Sequence, residues 1–266
     1  MKIPIVMAAF GTTTRALATY EYINKRVQER FPCHEISWSY SSRMVKDWTK
    51  KRKNIDLKHP HEVLQELHEK GHEWAIVQSM HFLAGHEFYR LLAEADQALI
   101  RTSIGLPLLS SPEDYLSVID VLRPVVTAHP GEAIVLVGHG TDHPIWSSYL
   151  ALQHMLCEEI GSQIYVGVVE EYPGQDAIVA HVRQAGFKKV CLVQFMLVAG
   201  VHFEEDLIGE NGDSWKSVFQ GQGITVSIEG EGLGLYPGIS DIFCDHIEAA
   251  ISVIPGNFHH EFGKSH

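Results

Sequence analysis

Two histidines in the second half of the sequence stand where a metal-binding site would need them. His139 follows the apolar run 134–137 in a Gly-His-Gly turn, and His202 follows a second apolar run, 189–196. Parallel strands bring their carboxyl ends to one edge of a sheet, where ligands bind in open α/β folds. Two imidazoles at that edge could share a divalent ion, although imidazole suits Co²⁺, Fe²⁺, Ni²⁺ and Zn²⁺ alike. The alternative interpretations are that His139 only caps its turn through hydrogen bonds and that His202 is a partly buried hydrogen-bonding residue at the start of a helix.

Two acidic residues extend this set of candidate groups. Glu170 closes the predicted strand 163–169 and could complete a His/Glu/His site that keeps coordination positions open for substrate. Glu87 occupies the place of His202 in an internal repeat of the chain, and it could act as a base. An acid considered alone is more often a solvated surface residue, so that interpretation stays open for both.

Basic residues could bind an anionic substrate. Five of the eight residues 46–53 are Lys or Arg, which is typical of a solvated helix face or of a positive rim around a polycarboxylate. Arg15 and Arg43 lie nearer to predicted strand ends, and a guanidinium group binds carboxylates in a bidentate manner. These two arginines and Phe10, at the end of the first predicted strand, are the predicted contacts of a bound ligand.

Common catalytic motifs are missing from the sequence. It contains no GxSxG turn of a serine hydrolase, and neither the GxxxxGK[ST] nor the GxGxxG loop of nucleotide-binding proteins. We therefore expect a metal-dependent reaction that uses no nucleotide cofactor.

The bulk composition argues against other classes of partner. The 266 residues carry a formal net charge of −12, opposite to the balance of proteins that bind nucleic-acid backbones. No apolar stretch has the length of a membrane span, and the first residues do not resemble a secretion signal. The four cysteines are dispersed, as is typical of reduced core residues. We expect a cytoplasmic globular protein that binds neither nucleic acid nor membrane.

The order of the predicted elements indicates an α/β fold. Short apolar runs alternate with amphipathic helical stretches, which is typical of mainly parallel sheets flanked by helices. The predicted strands are 3–10, 35–40, 74–80, 133–137, 163–169, 189–196 and 225–229.

The two halves of the chain echo each other in sequence. The paired segments are 6–12 with 135–141, 71–88 with 186–203 and, more weakly, 105–108 with 232–235. Three echoes in the same order predict a duplication, with one lobe at 1–128 and a second at 129–266. A cleft between two such lobes would collect Phe10, Glu87, His139 and His202.

The chain resembles the CbiK-type sirohydrochlorin cobaltochelatases, a class II chelatase family, over nearly its whole length. The stretches that carry the resemblance are 9–12, 77–81, 105–109, 138–140, 170–173, 196–202 and 212–216, of which the last two are the most specific. The resemblance implies that His139 and His202 bind the metal, with Glu170 as a further ligand and Glu87 as an acidic cleft residue. The chain departs from the family at Val201, where the family has Asp, and at Glu205, where it has Asn.

The implied activity is insertion of Co²⁺ into sirohydrochlorin during anaerobic cobalamin biosynthesis. Divalent metal and tetrapyrrole are then both substrates, and His139, Glu87 and His202 are the candidate catalytic groups that accept the two pyrrole protons. The sequence leaves open a chelatase that inserts Fe²⁺ for sirohaem or haem, a non-catalytic metal or tetrapyrrole carrier, and more distantly a zinc hydrolase. It also leaves open whether the protein forms a homo-oligomer.

Overall fold

A computed structural model describes residues 2–11, 17–41, 57–198 and 203–255, without the side chains of residues 203 and 204. Its frame is two four-stranded parallel sheets, each with its strands in the spatial order second, first, third and fourth along the chain. Each sheet is built from consecutive strands with the same order of neighbours. This arrangement confirms the predicted α/β class and the two similar sheets.

In the described residues of the first half, strands alternate with helices. They are β1 Ile5–Ala9, α1 Leu17–Arg30, β2 Ile36–Tyr40, α2 Pro60–Glu69, β3 Trp74–Ser79, α3 His86–Asp96, β4 Arg101–Gly105 and α4 Pro112–Ala128. The second half repeats the pattern with β5 Ala133–Gly138, α5 Ser147–Glu159, β6 Ile164–Val168, α6 Gln175–Gln184, β7 Lys189–Gln194, α7 Trp215–Gly221, β8 Thr225–Glu229 and α8 Pro237–Ser252. None of the helices in the described ranges is both long and apolar enough to cross a bilayer.

The central strands form where the sequence is continuously apolar. All residues of β1 and β5 are buried, because each of these strands has neighbours on both edges and helices over the sheet. Around β5 the core includes Val182 of α6 and the aromatic rings of Trp215 and Phe219 of α7. These rigid strands fix the positions of the turns that follow them.

The strand β4 is not among the strands predicted from the sequence. Arg101 is exposed, Thr102 and Ile104 are partly exposed, and Ser103 and Gly105 are buried. The strand lies at the edge of its sheet and pairs only with β3. A short edge strand half in water lacks the apolar run that identifies the central strands.

Contacts divide the chain differently from the predicted boundary at residue 128. The first unit comprises Met1–Thr13, Tyr20–Ser110 and Ser240–His266, and the second comprises Thr14–Thr19 and Ser111–Ile239. In the second unit, Arg123 of α4 donates to the carbonyl oxygen of Glu159 at 2.9 Å. In the first unit, Arg26 donates to Asp241 of α8 at 2.9 Å. The helix before residue 128 thus belongs with the later elements, and most of the last helix belongs with the earlier ones.

The two sheets repeat each other in topology, but one part of the sequence echo does not match the register of their hydrogen bonds. The N–H of Met80 donates to the Ala8 carbonyl, and the N–H of Phe195 donates to the Val137 carbonyl, so Met80 corresponds to Phe195. The echo of 71–88 with 186–203 has this register at its two ends, whereas the Val-Gln match within it pairs residues 77–80 with 193–196, one residue too far. Because side chains alternate across a strand, this shift places the matched glutamines, Gln78 and Gln194, at non-equivalent positions.

The outer edge of β6 is covered by a side chain. The amide of Gln153 on α5 accepts from the Val166 N–H at 2.6 Å and donates to the Ile164 carbonyl at 2.8 Å. Both of these backbone groups face away from β5, so Gln153 takes the place of a neighbouring strand at this edge.

Candidate metal centre

The pairing of β5 with β6 continues beyond both strands and places His139 next to Glu170. The Val169 N–H donates to the Gly138 carbonyl at 2.9 Å, and the Glu170 N–H donates to the His139 carbonyl at 2.9 Å. The backbones of these two candidate ligands are therefore bonded to each other. This local geometry agrees with the prediction that both residues lie at the carboxyl ends of neighbouring strands.

The side chains of His139 and Glu170 lie close together and reach solvent. The Nδ1 atom of His139 is 3.9 Å from Oε2 of Glu170, and the two side chains are 47% and 59% exposed. Two donor atoms that each bind an ion at about 2.1 Å stand roughly 3.0–3.4 Å apart. At 3.9 Å, Nδ1 and Oε2 are further apart than two ligands of one ion.

The ring of His139 also contacts its own turn through Nδ1. Nδ1 lies 3.3 Å from the Gly140 carbonyl oxygen. Metal-binding histidines usually donate one ring N–H to such an acceptor, which fixes the tautomer and directs the other nitrogen to the metal.

The two glycines that flank His139 serve different contacts. Gly140 has a φ of +93°, and a Cβ there would overlap the Glu170 carbonyl oxygen. Gly138 belongs to β5, and a Cβ there would lie 2.8 Å from Cε1 of Tyr149. Only Gly140 therefore makes the sharp turn that the sequence attributes to both glycines. The absence of a side chain at Gly138 leaves room for the ring of Tyr149.

Glu171 turns the chain immediately after Glu170. It has a φ of +70°, which is uncommon for a residue with a side chain. Such conformations often occur at functional sites, where surrounding contacts hold them. The ring of the following Tyr172 packs edge-on against Trp146 with centroids 5.6 Å apart, and this contact joins the loop after β6 to the loop after β5.

The other predicted ligand and the predicted arginines lie outside the described residues. These are His202, Arg15 and Arg43. Among the described residues no group of three or more His, Cys, Asp or Glu side chains is arranged to hold a metal. The described part of the site is therefore the pair His139 and Glu170.

Glu87 lies in the first unit and is held by two neighbours. It is in the first turn of α3, where its carboxylate accepts from Ser41 Oγ at 3.1 Å and from Arg90 Nη1 at 2.8 Å. Phe10 follows β1 in the same unit, and its side chain is exposed. The acid is thus a fixed, ion-paired carboxylate.

His81, which has no role predicted from the sequence, is a neutral and largely buried histidine. Burial lowers the pKa of His81 from 6.5 to about 4, so its ring is neutral at physiological pH. Nδ1 lies 2.9 Å from Ser79 Oγ, and the buried Nε2 has no hydrogen-bond partner among the described residues. The only sign of this group in the sequence is a histidine two residues beyond β3, and the burial of its ring cannot be inferred from that position.

The segment 212–216, one of the most specific parts of the resemblance, has a structural role here. Ser214 caps α7 by accepting from the Ser217 N–H at 3.1 Å. Trp215 is buried against β6, where a Cβ at Gly167 would overlap its ring. This segment supports the strand that leads to Glu170.

Comparison with known proteins gives a consistent family assignment. The family model described as cobalt chelatase (CbiK) matches residues 4–252. A sirohydrochlorin cobaltochelatase of Salmonella typhimurium is 30% identical over 259 residues, covering 95% of this chain and 98% of that protein. The sirohydrochlorin cobaltochelatase CbiKC of Nitratidesulfovibrio vulgaris is 31% identical over 261 residues, covering 94% and 91%.

Solved structures agree on the fold at low sequence identity. SirB from Bacillus subtilis with Fe³⁺ matches with a TM-score of 0.65 at 14% identity, and all of both chains is covered. A sirohydrochlorin chelatase SirB in complex with cobalt matches with a TM-score of 0.64 at 13% identity, covering 97% of this chain and 99% of that one. The arrangement of two parallel sheets is therefore shared with chelatases.

Proposed function

This chain belongs to the cobalt chelatase (CbiK) family, and we propose that it inserts Co²⁺ into sirohydrochlorin with His139 and Glu170 as ligands of the incoming ion. The observation that carries the assignment of these ligands is the backbone pairing that joins them. Because the Glu170 N–H donates to the His139 carbonyl, the imidazole and the carboxylate emerge from the same sheet edge.

The proposed site holds its metal weakly, which the reaction requires. A closed shell of four protein ligands would retain the ion, whereas three ligands leave positions for the macrocycle nitrogens. His202 is the third ligand in this proposal. Its place after β7 in the chain corresponds to the place of Glu87 after β3. The ligand types alone do not distinguish Co²⁺ from Fe²⁺, Ni²⁺ or Zn²⁺.

Proton removal is the second task of the site. The macrocycle loses two pyrrole protons as it binds the metal, so a nearby base must accept them. A neutral imidazole at His139 or His202, or the carboxylate of Glu87, is proposed for that role. The carboxylate substituents of the tetrapyrrole are proposed to bind Arg15 and Arg43, with Phe10 as an apolar contact.

The organic substrate in this proposal is the tetrapyrrole, and no nucleotide takes part. We expect the enzyme to act in the cytoplasm without binding nucleic acid or membrane. A homo-oligomer is compatible with the proposal but is not required by it.

The test is replacement of His139 by Ala with continuous absorbance measurement of sirohydrochlorin and Co²⁺. We expect the insertion rate to fall towards that of the uncatalysed reaction, while the variant keeps the wild-type thermal unfolding midpoint. Near wild-type rates in this variant and in His202→Ala would refute the mechanism. Multiple turnovers by the wild-type enzyme separate an enzyme from a carrier, and equal free Co²⁺ and Fe²⁺ in competition separate the two insertion activities.

A further inference from the structure

Tyr149 contacts the residues on both sides of His139. It lies in the first turn of α5, and only 5% of its surface is exposed. Its ring and its hydroxyl group make separate contacts with the turn that follows β5.

The ring of Tyr149 packs on the backbone before His139. A Cβ at Gly138 would lie 2.8 Å from Cε1, 3.2 Å from the hydroxyl oxygen and 3.3 Å from Cζ of this ring. The strand therefore approaches the helix closely at Gly138, and only glycine permits that approach.

The hydroxyl group of Tyr149 holds the backbone after His139. The Gly140 N–H donates to this oxygen at 3.3 Å. Burial raises the pKa of Tyr149, so the phenol stays protonated and neutral at any pH at which the protein would act. The opposite side of Gly140 lies against the Glu170 carbonyl, which leaves this residue little freedom.

We propose that Tyr149 is a positioning residue for the metal ligands His139 and Glu170. This inference rests on the proposed function, because it assumes that these two residues bind Co²⁺. The ring sets the distance between α5 and β5, and the hydroxyl fixes the turn from which the imidazole projects. Loss of the hydroxyl leaves the Gly140 N–H without its acceptor and frees the turn to shift. A displaced turn moves the imidazole relative to the carboxylate of Glu170.

The substitution Tyr149→Phe separates positioning from packing, because the ring remains and only the hydroxyl is removed. We measure Co²⁺ affinity by titration and follow the visible absorption bands of bound Co²⁺, which report coordination geometry. Changes in groups that orient metal ligands typically cost roughly 10–100-fold in metal affinity or activity. We expect about a tenfold loss of Co²⁺ affinity and shifted absorption bands. The KM for sirohydrochlorin should be unchanged.

The matched control is Tyr165→Phe, which removes the same group from β6 of the same sheet. Tyr165 is half-buried and packs edge-on against Phe187 with centroids 6.4 Å apart. We expect this variant to bind Co²⁺ with wild-type affinity. Equal losses in both variants would overturn the proposal, because they would reflect a general change in the sheet.

The variant His139→Ala distinguishes failure of this inference from failure of the proposed function. If His139→Ala loses Co²⁺ while Tyr149→Phe keeps wild-type affinity and spectrum, the positioning role of Tyr149 is wrong and the metal site stands. If His139→Ala binds Co²⁺ as the wild type does, the metal site itself is wrong, and the role of Tyr149 is refuted with it.

Discussion

The turn after β1 in the first unit and the turn after β5 in the second unit occupy the same place in matching sheets. The hydrogen bonds that equate Met80 with Phe195 also equate Ala8 with Val137, so Phe10 corresponds to His139. One unit has an exposed aromatic ring where the other has an imidazole beside Glu170. Sheets of the same strand order therefore carry candidate metal ligands in the turn after β5 and an apolar side chain in the turn after β1.

The strands β3 and β7 show a second difference of this kind. The Leu108 N–H donates to the His81 carbonyl, and the Leu233 N–H donates to the Met196 carbonyl, which makes His81 the counterpart of Met196. His81 is a neutral, largely buried imidazole, unlike the exposed His139. A histidine at a strand end is thus a candidate ligand only where its ring can reach an ion, and burial decides that.

Exchanging the residues of the corresponding turns gives the largest expected effect. In His139→Phe the second unit takes the residue of the first, and we expect Co²⁺ insertion to fall about 10³-fold, or roughly 4 kcal/mol of barrier. The reason is the loss of a proposed metal ligand. The reverse change, Phe10→His, should not add a second Co²⁺ site in equilibrium dialysis. Two ions bound per chain in that variant would contradict the comparison.

The close approach of Gly140 to Glu170 predicts the next largest effect. We expect Gly140→Ala to lower the free energy of unfolding by about 3 kcal/mol, since a positive φ and a backbone overlap act together. Gly186→Ala is the control, because Gly186 has a φ of +82° with nothing within 4 Å of an added Cβ. That control should cost only about 1 kcal/mol in urea unfolding. Equal losses of unfolding free energy in the two variants would show that the overlap with the Glu170 carbonyl does not add to the destabilisation.

His81 predicts an acid-sensitive stability located in the first unit. Its folded pKa of about 4 lies below the value of 6.5 expected for the unfolded chain. Between these values the unfolded state binds a proton that the native state does not, so stability is complete above pH 6.5 and is lost as the pH falls towards 4. We expect this group to account for about 2 kcal/mol of the loss between roughly pH 7.5 and pH 5.

Urea unfolding at both pH values tests this effect in His81→Phe. The difference between the two pH values should shrink by about 2 kcal/mol in this variant. The control His154→Gln changes an exposed histidine of α5 and should leave the difference as in the wild type. An unchanged pH dependence in His81→Phe would mean that another group titrates.

Glu87 gives the smallest predicted effect. We expect Glu87→Gln to slow Co²⁺ insertion about tenfold, or about 1.4 kcal/mol, because the carboxylate is one of several proposed proton acceptors. Glu94→Gln on the same helix should retain the wild-type kcat, since Glu94 binds His61 on the surface. A wild-type insertion rate for Glu87→Gln would show that Glu87 takes no part in proton removal and only pairs with Arg90.

The sequence was sufficient for the fold class and for the pairing of His139 with Glu170. Both depend on long apolar runs, whose ends locate the turns at a sheet edge within a residue or two. The polar edge strand β4 was missed, and the echo between β3 and β7 was read one residue out of register. Short polar strands and similar strand sequences do not fix pairing, because hydrogen bonds with neighbouring strands determine it.

Other features depend on distant contacts that no local pattern records. Tyr149 looks like an ordinary apolar residue of an amphipathic helix until its contacts with Gly138 and Gly140 are known. The return of α8 to the first unit is accompanied by ion pairs such as Arg26 with Asp241, whose positions lie far apart in the sequence. The residue identities gave no sign of either contact.

The side chain of Gln153 has a consequence for self-association. An exposed strand edge offers free N–H and C=O groups on which another chain can add a strand and begin aggregation. Because Gln153 occupies groups of Ile164 and Val166, an incoming strand would have to displace its amide before it could pair there. Gln153 thus protects this part of the β6 edge from growth into larger β-structures, while the turn that carries His139 stays open to solvent.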